Sequence, residues 1–553
     1  MKRWGGEVSV YRLSTLSSGV SGVGVGRGSL APLGSRSLLL RSAAALRFRV
    51  CCASALLLLL LSVALLSGTV EPPLRAPSAR DLLPPYAVFL DAGSTGTRVH
   101  VFSVTPGRHP PAFTLAPASS KLSSDIPLAS LVNSTQPHLW AALQPLMQHA
   151  STAVPASLRA RTPLHVWATA GMRVLPEPQQ QALYSDTFAA VSQHTDFAVN
   201  REVGFRTISG EEEGFFGWLA ANTLAGTDFT ALRPGSPMPS TMGALDVGGG
   251  SAQVVFAGGG GESALRGPRR AGPALGEQVL SSLRASTYTK SYLGFGAVAM
   301  EARVKAALVA AGGITSIKNP CAFADFTETL DGVSSIGTGD FDQCAVLVAN
   351  ALRDMQRTSG SVVLPKSATT QGRFMGMSLL FHVTHFLAVA APQKNAVSRG
   401  GRPFPFPQPR VRDIANAGRT LCATPWHDVQ HNLLGVDPHT PPPRLQGRCL
   451  DCALVATLLG ASDVGYGFAE ESARIVFVDK VQDTEVEWSL GAAVATLHPR
   501  ALQLAFARDA AARRAASLAV VAAAICALVA GKGAGAAPAV APPPTAAASK
   551  GDE

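Results

Sequence analysis

Three carboxylates stand where a carboxylate can do chemistry. Asp91 ends the apolar run Tyr86-Ala-Val-Phe-Leu-Asp91, Asp246 ends Gly243-Ala-Leu-Asp246, and Glu213 closes the triplet Glu211-Glu212-Glu213 directly before Gly214. Behind each aspartate comes a turn rich in Gly, Ser and Thr and then a second β-type run, reaching Val104 in one case and Phe256 in the other, so each unit reads as strand, loop, strand. Gly93, Gly96, Gly248, Gly249 and Gly250 let successive backbone N–H groups approach a ligand without Cβ obstruction, and such loops bind anions. Ser94, Thr95, Thr97 and Ser251 add hydroxyl donors, while Asp91 and Asp246 offer hard oxygens to a divalent cation or its waters. Phosphate groups accompanied by a divalent cation suit these residue types. One such loop would pass for an ordinary hairpin; the repetition makes a clamp.

The paired units resemble the phosphate loops of the actin, hexokinase and chaperone-ATPase superfamily. Within it, the chain resembles the apyrases, the nucleoside triphosphate diphosphohydrolases. Asp91-Ala-Gly-Ser-Thr-Gly-Thr-Arg98 resembles their first signature, Ala168-Thr-Ala-Gly-Met-Arg-Val-Leu175 the second, the segment from Ile208 to Asn222 the third, and Asp246-Val-Gly-Gly-Gly-Ser-Ala-Gln253 the fourth. Cys449-Leu-Asp-Cys-Ala-Leu454 matches the fifth in part, with Leu454 where a tyrosine usually stacks on the base. Val486-Glu-Trp-Ser-Leu-Gly-Ala492 resembles the closing segment.

The resemblance implies an α/β fold of two ribonuclease-H-like lobes, each with a mixed central sheet, around an interlobe cleft. It implies Glu213 as general base, with Ser251 holding the attacking water. Gly93, Ser94, Thr95, Gly96, Thr97, Arg98, Gly248, Gly249, Gly250, Ser251, Ala252 and Gln253 would line the phosphates. Asp91, Thr169 and Asp246 would hold Ca²⁺ or Mg²⁺ through water, with Trp488 nearby. Arg173 would hold its loop or counter charge, or else form a salt bridge inside its lobe. Phe381 or His382, on an apolar helix expected from Phe374 to Leu387, would meet the base. The reaction implied is hydrolysis of the terminal phosphate of nucleoside di- or triphosphates. Gly96 in the first loop is similar to members of the endomembrane system that favour diphosphates. A related exopolyphosphatase-like phosphatase and a nucleotide-binding module without turnover are the competing readings.

The positioning elements need two lobes, which 553 residues supply. The resemblance divides the chain into a first lobe over 86–222 with three signatures, a second over 223–487 with the fourth, and a return to the first over 488–510. The formal charge is +10 although only 15% of residues are charged, and much of the excess is in residues 1–50, where eight Lys and Arg face only Glu7. Only Trp4, Tyr11 and Phe48 are aromatic in that stretch, and the charge is read with the apolar segment that follows rather than as a nucleic-acid surface. Residues 51–70 are uncharged and long enough to cross a bilayer; the basic flank predicts a cytosolic tail, a membrane anchor and a lumenal body, Golgi or endomembrane rather than cell surface. A cleaved signal peptide or a transit peptide competes with that reading. Residues 71–85 form a proline-rich stalk, 515–531 a candidate second span, and 532–553 an Ala/Pro-rich tail. Five cysteines fall in the body, where disulfides Cys321–Cys344 and Cys422–Cys449 are the preferred pairs, with one thiol left over. Zinc or redox use of Cys449-x-x-Cys452 is the lesser alternative. The sequon at Asn133 is compatible with glycosylation.

Overall fold

The computed structural model describes residues 83–107, 113–229, 232, 236–258, 275–312, 316–390, 404–439 and 442–501, together with four residues between 519 and 523. The basic tail, the apolar segment 51–70, nearly all of the stalk and of 515–531, and the C-terminal tail lie outside the described residues. Among the described residues no helix is long and apolar enough to cross a membrane.

Two sheets carry the architecture. The first is built from β1 (Tyr86–Ala92), β2 (Thr97–Pro106), β3 (Phe113–Pro117), β4 (Leu122–Ser124), β5 (Pro163–Ala168), β6 (Ala198–Val199) and β7 (Phe205–Thr207), with the path β3-β2-β1-β5-β6. The second runs β10-β9-β8-β14-β15, from β8 (Gly243–Val247), β9 (Ser251–Ala257), β10 (Thr287–Leu293), β14 (Phe374–Ser378) and β15 (Ile475–Phe477). A small sheet of β11 (Ile317–Asn319), β12 (Thr327–Leu330) and β13 (Val333–Gly337) is appended. In both large sheets three antiparallel strands are followed by parallel ones, β1 against β5 and β8 against β14. The same order and sense occur twice, the ribonuclease-H-like pattern, and the chain has the two-lobed mixed α/β fold expected.

Sequence pattern explains the layers. In β1 every residue after Tyr86 is buried, as befits a central strand covered on both faces. Helix α1 (Gln136–Ala153), which begins with Pro137 in its first turn, buries Leu139, Leu143, Leu146, Met147 and Ala150 on one stripe against the first sheet. Helix α2 (Gly210–Leu224) starts from a capping box between Ser209 and Glu212. It is buried along most of its length because it lies between the sheets. Phe215, Trp218 and Leu219 share one core with Phe89 and Trp167 of the first sheet and Ala244, Val255 and Met375 of the second. Leu490, Ala493 and Val494 of the closing segment join that same core.

The helical layer of the second lobe comprises α3 (Ala297–Ala311), α4 (Phe341–Ser359), α5 (Leu379–Ala390), α6 (Val411–Cys422) and α7 (Arg448–Leu459). Disulfides Cys321–Cys344 and Cys422–Cys449 tie it together, and Cys452 is a buried free thiol. The expected pairs are therefore formed, and Cys449-x-x-Cys452 is not a metal or redox pair. One expectation fails: residues 374–378 are strand β14, not the start of the helix. An apolar run of five has no period to distinguish strand from helix, and here strands β8 and β15 flank it on both sides.

Candidate active site

The two aspartate-tipped hairpins close with the same turn. Gly93 N–H donates to Gly96 O at 2.9 Å, and Gly248 N–H donates to Ser251 O at 2.9 Å. Across the strands Asp91 stands opposite Arg98, and Asp246 opposite Gln253. The turns meet face to face: a Cβ on Gly249 would lie 2.7 Å from Thr95 Cγ2 and 2.9 Å from Ser94 Oγ. Around them opens a cleft of about 370 Å³ whose wall includes Asp91, Thr169, Glu213, Asp246, Ser251 and Trp488. The start of α3 shapes the second turn, for Ala297 N–H donates to Gly248 O at 2.9 Å and Val298 N–H to Gly249 O at 3.0 Å. With its carbonyls engaged behind it and Gly248 N–H closing the turn, the amides of Gly249 and Gly250 are those suited to an anion in front.

Glu213 enters from the first turn of α2. Arg173 Nη2 donates to its Oε2 at 2.5 Å, and Gln253 Nε2 donates to the same oxygen at 3.2 Å and to Ser251 Oγ at 2.8 Å. One amide thus fixes the carboxylate relative to the hydroxyl. Burial pushes the Glu213 carboxyl up to about 7, against the pull of Arg173 and with a further push from Asp246 and Asp91. Burial likewise raises Asp91 and Asp246 above the usual carboxylate range; Arg98, His100 and Trp488 oppose the shift of Asp91, and Ser378 that of Asp246. Ser378 takes φ 54° at the end of β14, an uncommon conformation for a side-chain-bearing residue, and lies in the cleft wall.

These acids fit a divalent cation. The Oδ1 atoms of both Asp91 and Asp246 are buried with no hydrogen-bond partner, a costly state that a hydrated cation would relieve. Asp91, His100 and Glu487 also cluster within 4.8 Å. There, however, Glu487 is already engaged by His100 Nε2 at 2.9 Å and Lys121 Nζ at 2.5 Å. Burial opposes ionisation of Glu487, but His100 and Lys121 overcome it and hold this carboxyl far below the usual range. Burial would lower His100, and Glu487 with Asp91 more than offsets that, so the imidazole titrates above its ordinary value.

The structure separates the expected residues. Gly93, Ser94, Thr95, Arg98, Gly248, Gly249, Gly250 and Ser251 line the cleft with the acids, Thr169 and Trp488. Trp488, one of the groups that oppose the rise of the Asp91 carboxyl, has its ring parallel to that of Trp167 at 6.4 Å. Four others lie behind the wall. Thr97 is buried and its Oγ1 donates to Ile126 O at 2.9 Å. Gly96, at φ 155°, packs so closely on Ser124 O that no Cβ would fit. Ala252 belongs to the core, and Gln253 acts through its contacts with Glu213 and Ser251. Strand alternation explains the last pair, since Ser251 and Gln253 share the face that Ala252 does not.

Arg173 pairs with Glu213 itself, tying the second signature to the third. His382 lines the cleft, whereas Phe381 packs against His385 and Phe406 and is absent from the wall. Leu454 is fully buried in the core and is not part of the cleft wall. Sequence reasoning missed His100, Lys121, Ser378, Arg444, Arg448 and Glu487, all near or in the wall. Glu487 directly before Trp488, Arg448 directly before Cys449 and His100 within the first hairpin carried a signal by position.

Comparison with known proteins gives a consistent picture. The model of the GDA1/CD39 (nucleoside phosphatase) family matches residues 83–507. The nucleoside-diphosphatase mig-23 of Caenorhabditis briggsae is 26% identical over 445 residues, covering 74% of this chain and 76% of the relative. Ectonucleoside triphosphate diphosphohydrolase 2 of Gallus gallus is 28% identical over 481 residues, covering 79% and 88%. The Golgi apyrase of Schizosaccharomyces pombe is 25% identical over 449 residues, covering 73% and 74%.

Proposed function

The chain belongs to the GDA1/CD39 nucleoside phosphatase family, hydrolases of nucleoside di- and triphosphates that depend on a divalent cation, and we propose how its own residues carry the reaction. The terminal phosphate lies between the turns at 93–96 and 248–250, whose N–H groups and hydroxyls face its oxygens. Asp91 and Asp246 would hold a divalent cation, with Thr169 beside them; Ca²⁺ or Mg²⁺ suits this all-oxygen set. When bound, that cation neutralises charge on the phosphate oxygens.

Glu213 and Ser251, kept in register by Gln253, position a water in line with the scissile bond. The water oxygen forms the new bond to phosphorus as the bridging P–O bond breaks, and Glu213 takes the water proton. The shortened nucleotide leaves with the bridging oxygen, and the other product is inorganic phosphate. Arg173 anchors the Glu213 carboxylate and limits the rise of its pKa, so that a useful fraction is ionised near neutrality. His382, with Arg444 and Arg448, stands at the part of the cleft where the nucleoside end would lie.

The observation that carries this reading is the hydrogen-bonded set Glu213–Gln253–Ser251, recessed between two turns whose aspartates keep buried oxygens without partners. We assign nucleoside diphosphates as preferred substrates in an endomembrane lumen, supported by the two disulfides and the names of the diphosphatase and Golgi apyrase relatives. Phosphate release from UDP, GDP, ADP, ATP and polyphosphate should be measured with Ca²⁺, with Mg²⁺ and with chelator. The expected result is cation-dependent release, fastest from the diphosphates. Release from polyphosphate alone, or nucleotide binding with no release, would overturn the proposal.

A further inference from the structure

We infer a second metal site, selective for a transition-metal dication such as Zn²⁺, formed by His385, Asp437 and His439. His385 is on α5, and the other two are on the turn that follows the helix Trp426–Leu433. Fifty-two residues separate Asp437 from His385 along the chain, yet one ligand atom from each of the three falls within 4.8 Å of the others. His385 Nδ1 stands 3.2 Å from Asp437 Oδ1, and the Asp437 side chain has no solvent exposure. The same Oδ1 accepts the backbone N–H of His439 at 3.0 Å, which fixes the turn that brings the second imidazole forward.

Tetrahedral zinc with bonds of about 2.0–2.1 Å needs ligand atoms about 3.3–3.4 Å apart. The His385–Asp437 edge is already close to that length, and a rotation of the exposed His439 ring would close the rest. The His382 ring, centred 5.8 Å from that of His439, is within reach as a fourth nitrogen. Phe381 stacks on His385 at 5.2 Å and Phe406 meets it edge-on at 5.4 Å, so the ring is held in orientation. Two imidazoles and one carboxylate favour Zn²⁺ and its neighbours over Mg²⁺ or Ca²⁺, which take all-oxygen sets. The contact between His385 and Asp437 is accompanied by the His439 ring, which meets Phe381 edge-on at 5.4 Å and His385 at 5.2 Å and so stands beside both other ligands.

His382 and His439 also line the active cleft, so an ion here sits at its rim. The consequence, a raised KM at little change in kcat, rests on the assignment of that cleft to nucleotides. The binding itself does not, and it is measured without nucleotide. Chelator-treated full-length protein in excess Mg²⁺ is titrated with Zn²⁺ against a chromophoric chelator. One equivalent should bind, with affinity reduced at least ~10-fold in His439→Asn and in Asp437→Asn but unchanged in His427→Asn, which alters an exposed histidine elsewhere. Because His439 is exposed, its variant tests the site even if Asp437→Asn does not fold. No zinc uptake in excess Mg²⁺, or uptake indifferent to His439→Asn, would refute the site.

Discussion

Replacing Glu213 by Gln removes the proposed proton acceptor while keeping its shape, and the structure sets two separate magnitudes for the result. For chemistry, loss of a positioned base costs about 10²–10⁴ in rate, or roughly 3–5 kcal/mol of transition-state stabilisation. For folding, Arg173 loses an anionic partner at 2.5 Å but retains its Nε bond to Ile208 O at 2.9 Å. Gln253 and Arg173 both donate toward the same carboxylate oxygen, so the new amide can satisfy them with its carbonyl only if its NH₂ turns away. A cost of about 1–3 kcal/mol follows, a shift of a few degrees in Tm. The assays are phosphate release at saturating UDP, equilibrium nucleotide binding and thermal unfolding. Glu212→Gln is the control. Glu212 pairs with Arg206 and caps Ser209, so its loss should cost about 1 kcal/mol of stability and leave kcat within about threefold. A folded Glu213→Gln protein that binds nucleotide and keeps phosphate release within about tenfold of wild type would refute the reasoning.

The remaining expectations concern pH, the turns, the cation and the crosslinks. If Glu213, whose carboxyl burial pushes up to about 7, is the base proposed, kcat/KM should rise with pH to a plateau, along a limb that a bound cation moves below 7; a flat profile from about pH 5 to about pH 8 would exclude this base. Gly249→Ala should press its Cβ on Thr95 and Ser94 and, at about 1–3 kcal/mol of overpacking, lower kcat/KM about 10- to 100-fold, with wild-type kinetics meaning that the turns part in the working state. Asp246→Asn should raise the concentration of Ca²⁺ or Mg²⁺ needed for half-maximal activity by at least about tenfold, and an unchanged cation titration would remove Asp246 from the ligand set. Cys422→Ser with Cys449→Ser opens a loop of sequence separation 27, so denaturant unfolding should register a loss of about 3.5 kcal/mol.

Much of this is legible in the sequence because the chemistry and the local structure coincide. A strand that must end on a carboxylate and turn at once around an anion needs its residues contiguous, and both hairpins announce themselves. Glu213 is legible through the resemblance, since composition alone does not distinguish it from Glu211 and Glu212; the capping box then claims Glu212. Contacts made across the fold are not legible. Arg173 reaches Glu213 from 40 positions away, and Lys121 reaches Glu487 across 366. Thr97 and Ala252 sit inside the signatures but on the wrong face or in the core, because the strand pleat, not the motif, decides which way a side chain points. β14 reads as helix for the same reason: its neighbours in the sheet, not its own residues, specify it.

The doubled sheet also provides a comparison within one molecule. Pairing places Trp167 beside Asp91 and Met377 beside Asp246, just as Arg98 and Gln253 are counterparts opposite them. Where these counterparts differ, one half supplies a cationic arm, Arg98, and the other an amide, Gln253, that joins Glu213 to Ser251. Exchanging a single residue between equivalent places, rather than truncating it to alanine, asks whether a duty belongs to the side chain or to the half that bears it.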